Sequence, residues 1–323
     1  MKTNKLLGTA LLAGVTLWAA PVVAQTYPTK SIRFIVPFPP GGPTDVIGRL
    51  VAQKLTEAWG QQIVVDNRGG AGGNIGMGLA ARANPDGYTM LLVSSSFVVN
   101  PSLYAKIPYD PYKDLAPISN LAASPHVFFM HPSSPVKSVA DLIAQARSSP
   151  GKFSIATPGI GTTPDLSARL FALMAKIDLT VVPYGGGGPS LAAVLGNQVS
   201  VGCQAIPPVT PHIKGGRLRA IGLTASKRSD ALPDVPTLAE MGYSGQEADT
   251  MQGLLVPAGT PKAVVSKIAG DVRRTLALPD IRQRVTDLGF DVIASTPEQF
   301  SAQIKREIER WGKVVKDAGI KVE

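Results

Sequence analysis

The chain has one cysteine, Cys203, so it can form neither an intrachain disulfide nor a zinc site made of cysteines. Its three histidines, His126, His131 and His212, do not have the H-E-x-x-H spacing of a zinc hydrolase, and no G-x-S-x-G nucleophile motif is present. The carboxylates are scattered and form no evident acid–base pair. The sequence therefore predicts no catalytic residue and no metal site.

The glycine-rich segments do not match a nucleotide-binding loop. Gly159-Ile160-Gly161 has the first two glycines of a dinucleotide loop but lacks the third. Gly76-Met77-Gly78 lies in a predicted helix instead of at a strand-to-helix turn, and Gly151-Lys152 is followed by Phe153 instead of the Ser or Thr of a P-loop. We therefore predict that the protein binds no cofactor.

After residue 24 the chain has no apolar segment long and uncharged enough to span a bilayer, which takes about 20 residues. The one long apolar run, Leu6–Ala20, follows Lys2 and Lys5 and precedes Val22-Val23-Ala24. This arrangement is typical of a secretory signal peptide, and no cysteine follows it that could carry a lipid anchor. We predict that residues 1–24 are removed and that the mature protein is exported to a bacterial periplasm.

The formal net charge is +9, and the basic residues are spread along the chain. Nucleic-acid-binding domains usually concentrate basic residues in a stripe or carry a recognisable motif, and neither is visible here. The charge therefore predicts no nucleic-acid partner, but it provides a favourable field for anionic ligands.

One local pattern occurs twice. The apolar run Ile32–Phe38 enters a Pro/Gly loop that ends at Asp45, and Phe153–Ala156 enters a second glycine loop that ends at Asp165; a helical pattern follows each. A helix N-terminus offers unpaired N–H groups and the positive end of the helix dipole, and glycine lets a ligand approach the backbone. The repeat predicts two anion sites, one in each half of the chain, that close on one small ligand.

Short strand-like runs alternate with helical patterns along the whole chain, which is typical of α/β proteins with mostly parallel sheets flanked by helices. The length after cleavage suggests two domains. Ile118–Pro125 and Tyr243–Gly253 are predicted to cross between them. The first lobe is then residues 25–123 with 250–323, and the second is 124–249.

Several segments together resemble the Bug-type solute-binding proteins, the extracytoplasmic receptors of tripartite tricarboxylate transporters. They extend over nearly all of the mature chain and are Tyr27–Ile32, Val36–Phe38 with Gly41-Gly42 and Thr44-Asp45, Asn67-Arg68 with Gly70–Gly76, Pro85–Thr89, Asn100–Tyr104, Val182–Tyr184 and Pro233–Thr237. The resemblance implies a two-lobed type II periplasmic-binding fold, the Venus flytrap, and permease subunits of such a transporter as membrane partners. The protein is expected to be a monomer.

The resemblance also implies a small carboxylate ligand, held largely through backbone groups and water by three loops. These loops are Phe38–Asp45, Gly70–Asn74 and Thr157–Thr163. Cys203 is most simply a small buried residue but is kept in the predicted binding set. That set is Phe38, Pro40, Gly41, Gly42, Thr44, Asp45, Gly70, Ala71, Gly73, Asn74, Ser95, Thr157, Gly159, Ile160, Gly161, Thr162, Thr163, Tyr184 and Cys203.

Some positions differ from the usual pattern of that family. Pro43 stands where a glycine is usual, Pro158 and Ile160 replace polar residues, and Asp165 replaces a frequent histidine. The apolar substitutions favour a carboxylate with an aromatic or aliphatic body over citrate. A bulky side chain at Gly161 is expected to block backbone donors without disturbing the fold.

Two other functions remain open from the sequence. An orphan receptor could deliver its ligand to a sensor protein instead of a permease. An exported α/β enzyme could act on a small organic acid, although no positioned nucleophile, base or metal set supports it.

Overall fold

The structure is a computed structural model and describes residues 27–246 and 248–317; the predicted signal peptide lies outside these ranges. No helix within them is long and apolar enough to cross a membrane. The strands are β1 Ile32–Val36, β2 Ile63–Asn67, β3 Thr89–Ser94, β4 Leu115–Met130, β5 Ser154–Thr157, β6 Thr180–Pro183, β7 Val201–Ala205, β8 Arg219–Leu223, β9 Asp249–Pro257 and β10 Asp291–Val292. The helices are α1 Pro43–Trp59, α2 Asn74–Ala81, α3 Ser96–Leu103, α4 Val139–Ser148, α5 Thr163–Ala175, α6 Gly187–Leu195, α7 Thr210–Lys214, α8 Lys262–Ala277, α9 Pro279–Asp287 and α10 Pro297–Asp317.

The strands form a curled sheet in the order β2-β1-β3-β9-β4-β7-β5-β6, with β8 and β10 also paired to β4. The first half of β4 pairs with β9 and β10, and its second half lies between β7 and β8. Each half of the sheet packs against its own buried apolar clusters. The fold is therefore the expected two-lobed α/β arrangement, with β1, β2, β3, β9 and β10 in the first lobe and β5 to β8 in the second.

The sheet contains both parallel and antiparallel strand pairs, whereas the sequence predicted mostly parallel sheets. The pairs β1–β2, β1–β3, β5–β6 and β5–β7 are parallel, as expected of strands joined through helices. The strands β4 and β9, in contrast, run antiparallel to their neighbours. The expectation of mostly parallel sheets therefore holds only for the outer strands, because β4 carries the chain into the second lobe and β9 brings it back.

The long strand β4 was only partly predicted. The sequence indicated a strand at Val127–Met130 and an irregular crossing before it, whereas the strand begins at Leu115 and contains Pro117 and Pro125. Proline cannot donate to a sheet ladder and is usually confined to edges and bulges. Here the register with β9 shifts next to Pro117, and the pairing partner changes just after Pro125.

The two helices after the repeated loops differ in how they pack. The predicted apolar face of α1 is fully buried. In α5, Leu166 and Phe171 are buried, but Leu170 is 39% exposed and Met174 is 37% exposed. The face of α5 that packs in the second-lobe core is formed by Phe171 together with Ala168 and Ala175.

Candidate ligand-binding site

The loop before α1 is closed by a buried carboxylate. Asp45 Oδ2 accepts the N–H of Gly41 at 3.1 Å and the Nε–H of Arg49 at 3.0 Å. Asn67 Nδ2 donates to Asp45 Oδ1 at 3.0 Å. Burial by itself would raise the pKa of Asp45, but the hydrogen bonds from Arg49, Asn67 and Gly41 outweigh it and lower that pKa. The side chain of Asp45 is thus fully engaged by partners in the loop, in α1 and at the end of β2.

The loop before α5 repeats this arrangement. Asp165 Oδ2 accepts the N–H of Gly161 at 3.0 Å and the Nε–H of Arg169 at 3.0 Å. The hydroxyl of Thr157 donates to Asp165 Oδ1, also at 3.0 Å. Both loops therefore follow one spacing, G-x-x-x-D-x-x-x-R. The N–H groups of the two glycines are used within the loops and do not face a ligand.

The first turns of α1 and α5 leave a few backbone donors free. The N-cap residue Thr162 accepts two first-turn N–H groups of α5, through its hydroxyl and its carbonyl. In α1, the N–H of Val46 bonds back to the preceding loop. Within the described residues, the N–H groups of Thr44, Asp45 and Thr163 have no hydrogen-bond partner. These are the donors that a helix N-terminus offers to an anion.

The N-termini of α1, α5 and α6 meet at a small chamber of about 30 Å³, which we call the inner chamber. Its polar lining consists mainly of hydroxyl groups from both lobes. The hydroxyls of Thr163 and Thr250 lie 3.0 Å apart. The lining residues are Phe38, Gly42, Pro43, Thr44, Ser94, Ser96, Pro158, Thr162, Thr163, Pro164, Gly187, Ala205 and Thr250.

A larger space of about 250 Å³, the outer cavity, adjoins the inner chamber. The two spaces share Phe38, Pro158 and Thr162. None of the residues lining either space carries a charged side chain. The outer cavity is lined by Phe38, Gly70, Ala71, Gly72, Gly73, Tyr104, Pro158, Gly159, Ile160, Thr162, Pro183, Tyr184 and Gly185.

The two lobes touch at the edge of this site through glycine backbone. A Cβ atom on Gly188 would collide with the carbonyl oxygen of Pro40, and one on Gly42 would lie 3.6 Å from the backbone nitrogen of Gly187. Gly161, in addition, packs directly against Leu103 of α3 in the first lobe. The structure is therefore a closed arrangement, and at Gly188 only glycine fits against the other lobe.

A fully buried histidine connects β4 and β9, the strands that cross between the lobes, to the inner chamber. His126 Nδ1 lies 2.9 Å from the hydroxyl of Ser167, and Nε2 lies 3.0 Å from that of Thr250, which in turn contacts Thr163. Desolvation by burial lowers the pKa of His126 to about 3, so the imidazole is neutral near pH 7. The chain of hydrogen bonds ties β4, β9 and α5 together.

Most of the predicted binding residues line the two spaces. Five of them border the inner chamber: Phe38, Gly42, Thr44, Thr162 and Thr163. Six more border only the outer cavity: Gly70, Ala71, Gly73, Gly159, Ile160 and Tyr184.

Five predicted loop residues do not line the spaces, and their positions revise the prediction. Asp45, Gly41, Thr157 and Gly161 make the internal hydrogen bonds of the two loops, as described above. Pro40 instead faces the other lobe at Gly188. These residues shape the loops, since their polar groups are taken up by partners within the protein or by the lobe contact.

Three further predicted residues also lie away from the spaces. Asn74 Oδ1 accepts from the amide of Asn100 at 2.8 Å inside the first lobe. Ser95 accepts the N–H of Met251 at 2.9 Å and so joins α3 to β9. Cys203 is fully buried in the second-lobe core, and burial raises the pKa of its thiol. Apolar packing explains Cys203 without a ligand.

Several lining residues were not predicted from the sequence. Ser94 and Ser96 face the inner chamber on either side of the chosen Ser95. Tyr104 belongs to the Asn100–Tyr104 motif but was not among the predicted binding residues. Thr250 lies in β9, and no sequence motif around it indicates a binding role. Within the described part of the chain, no cluster of three His, Cys, Asp or Glu residues could hold a metal ion.

Comparison with known proteins identifies relatives of the whole chain. The family model "Tripartite tricarboxylate transporter family receptor" matches residues 47–320. The periplasmic binding protein BugD is 34% identical, with a TM-score of 0.88 over 92% of this chain and 100% of that one. An R. palustris protein with adipate is 33% identical, with a TM-score of 0.88 over 91% and 99% of the two chains. MatC from Rhodopseudomonas palustris, with bound malate, is 33% identical, with a TM-score of 0.83 over 90% and 100%. The chain therefore belongs to the receptor family of the tripartite tricarboxylate transporters.

Proposed function

We propose that this protein is an exported receptor that encloses a small carboxylate between its lobes and delivers it, without chemical change, to the permease subunits of a tripartite tricarboxylate-type transporter. The observation that carries the proposal is the meeting of three helix N-termini at a hydroxyl-lined chamber between the lobes. Such N-termini direct N–H donors and positive dipole ends at the same point.

The charges around the chamber suit an anion. The carboxylates of Asp45 and Asp165 lie close behind the loops, but Arg49 and Arg169 pair with them at 3.0 Å. Each pair is neutral overall, so the helix dipoles and the free N–H groups set the local sign of the field. A ligand carboxylate in or against the inner chamber would replace its lost water with these donors.

The outer cavity sets the character of the rest of the ligand. Its apolar lining includes Phe38, Pro158, Ile160 and Pro183, and it offers no cation to a second or third carboxylate. We propose an acid with an aromatic or aliphatic body in preference to citrate, because each additional buried charge would lack a partner. The adipate and malate bound by relatives support a small organic acid.

The cellular setting is proposed on the same grounds. We propose a periplasmic, monomeric protein with a signal peptide removed after residue 24, since BugD is a periplasmic binding protein. The lobe limits proposed are residues 25–123 with 250–323 and residues 124–249. The change of β4 pairing after Pro125 and the start of β9 at Asp249 support them.

The test is a binding screen of the mature protein at low salt with benzoate, hexanoate, adipate, malate and citrate. An acid present at 100 times its Kd should stabilise the fold by about 2.7 kcal/mol. The acid should be recovered unchanged after incubation. No binding of any acid, or steady consumption of one, would contradict the receptor function, and tighter binding of citrate than of the other acids would contradict the proposed ligand class.

Two further measurements separate the remaining alternatives. Thr44→Val removes a chamber hydroxyl and should weaken binding about 3–10-fold, whereas Thr275→Val, at a buried position of α8 that does not line the chamber, should not. Capture of the loaded protein by membranes that contain the permease would support delivery to a transporter. Capture only by a sensor protein would favour the orphan receptor.

A further inference from the structure

The outer cavity has three polar side chains, and the hydroxyl of one of them, Thr162, is already hydrogen-bonded within the protein. Thr162 donates its hydroxyl to the carbonyl of Gly159 at 2.8 Å and accepts the N–H of Asp165 at 3.4 Å. The other polar side chains of the lining are Tyr104 and Tyr184. Neither phenol oxygen has a hydrogen-bond partner among the described residues. These two hydroxyls are therefore the side-chain groups left to recognise the body of a ligand.

Tyr104 lies in the first lobe and Tyr184 in the second, and a backbone hydrogen bond fixes the position of each residue. The N–H of Tyr104 bonds to the carbonyl of Asn100 at 3.0 Å at the end of α3, and its hydroxyl lies over Gly72. The N–H of Tyr184 bonds to the carbonyl of Thr157 at 2.9 Å, at the end of β6. In this closed arrangement of the lobes, both tyrosines line the outer cavity.

The outer cavity has no basic side chain that could neutralise a ligand charge near Tyr104 and Tyr184. Arg68, the basic residue in the nearby loop, is paired with Asp66 at 2.7 Å, and neither lines the cavity. Desolvation by burial raises the pKa of Tyr104, so its phenol stays a neutral donor. A second carboxylate here would lose its water and gain no cation, whereas an uncharged acceptor loses little.

Resting on the proposed function, we propose that Tyr104 and Tyr184 determine specificity by donating hydrogen bonds to the end of the ligand opposite its carboxylate. The preferred ligand is then a monocarboxylate whose far end carries an uncharged hydrogen-bonding group, such as a hydroxyl. Each ligand molecule then carries a single anionic group.

The test is calorimetry with two matched series: benzoate, 4-hydroxybenzoate and terephthalate, and hexanoate, 6-hydroxyhexanoate and adipate. In the series that fits the cavity, the hydroxy acid should bind at least 5-fold more tightly than both the plain acid and the diacid. Tyr104→Phe and Tyr184→Phe should each reduce that preference about 3–10-fold, as expected for one lost hydrogen bond. Tyr112→Phe, on an exposed side chain outside the cavity, should leave it unchanged.

The possible failures are distinguishable. Tighter binding of the diacid, or an unchanged preference in both tyrosine variants, would overturn this inference while the receptor function stands. Failure of every acid to bind would overturn the receptor function and the inference together. Folding of the variants is checked by their melting temperatures without ligand.

Discussion

Asp45 and Asp165 occupy equivalent positions in the two lobes. Each carboxylate accepts the N–H of the glycine four residues before it, and each is paired at 3.0 Å with the arginine four residues after it. The chain thus builds the same closed loop twice, at the start of α1 and of α5. This repeated loop places the N-termini of α1 and α5 on opposite sides of the inner chamber.

The first prediction concerns lobe closure at Gly188. Because a Cβ atom there would collide with the carbonyl of Pro40 in the other lobe, Gly188→Ala should weaken binding at least 10-fold. The melting temperature without ligand should change little, since the substitution lies in a helix where alanine is favoured. Gly270→Ala, in helix α8, where an added Cβ would meet only the flexible side chain of Arg274, is the matched control. Equal affinity of the two variants, by calorimetry with the acid that stabilises most, would contradict the closed contact.

The second prediction corrects the expectation for Gly161. Its N–H is bonded to Asp165, so a side chain there would not block a free donor. It would instead strike Leu103, and the φ of 70° at this position strains a residue with a Cβ atom by about 1–2 kcal/mol. Gly161→Ala should weaken binding, and Leu103→Ala added to it should restore most of the affinity. No rescue in the double variant, measured by calorimetry, would show that the strain and not the lobe contact is responsible.

The third prediction concerns acid stability and Asp45. Its pKa is lowered in the folded protein, so it contributes stability that is present above the unfolded pKa of about 3.9 and is lost as the pH falls below it. Asp45→Asn should lower the free energy of unfolding by about 1–3 kcal/mol at pH 7 and by less at pH 3, where part of the contribution of Asp45 is already lost. Urea unfolding at both pH values measures this. Asp234→Asn, on an exposed side chain, should show neither effect.

The fourth prediction concerns His126. Its folded pKa of about 3 lies below the unfolded value of about 6.5, so its stabilising contribution is complete above pH 6.5 and declines as the pH falls toward 3. The decline is at most about 1.4 kcal/mol per pH unit. His126→Asn should flatten the loss of stability between pH 6.5 and 4.5 in urea titrations, whereas His131→Asn, in a surface loop, should not. The same slope in both variants would mean that His126 is not the buried titrating group.

The sequence predicted the loops that line the two spaces, but not which of their polar groups face those spaces. Ranges such as Gly70–Asn74 and Thr157–Thr163 do border the cavity, because glycines and prolines mark the ends of strands locally. Within them the sequence could not tell which polar group faces outward. Asp45 and Asn74, for example, look like ligand-binding residues until their partners Arg49 and Asn100 are seen in space.

The sequence by itself determined the repeated strand, glycine loop and helix, and it contains no metal-site or nucleophile motif. These features depend on residues within one or two helical turns of each other. Only the tertiary structure decided that Tyr104 and Tyr184 share a cavity, that Thr250 reaches Thr163 at 3.0 Å, and that Gly188 meets Pro40. Those pairs are separated by more than 70 residues, and they form only when β4 and β9 bring the two lobes together.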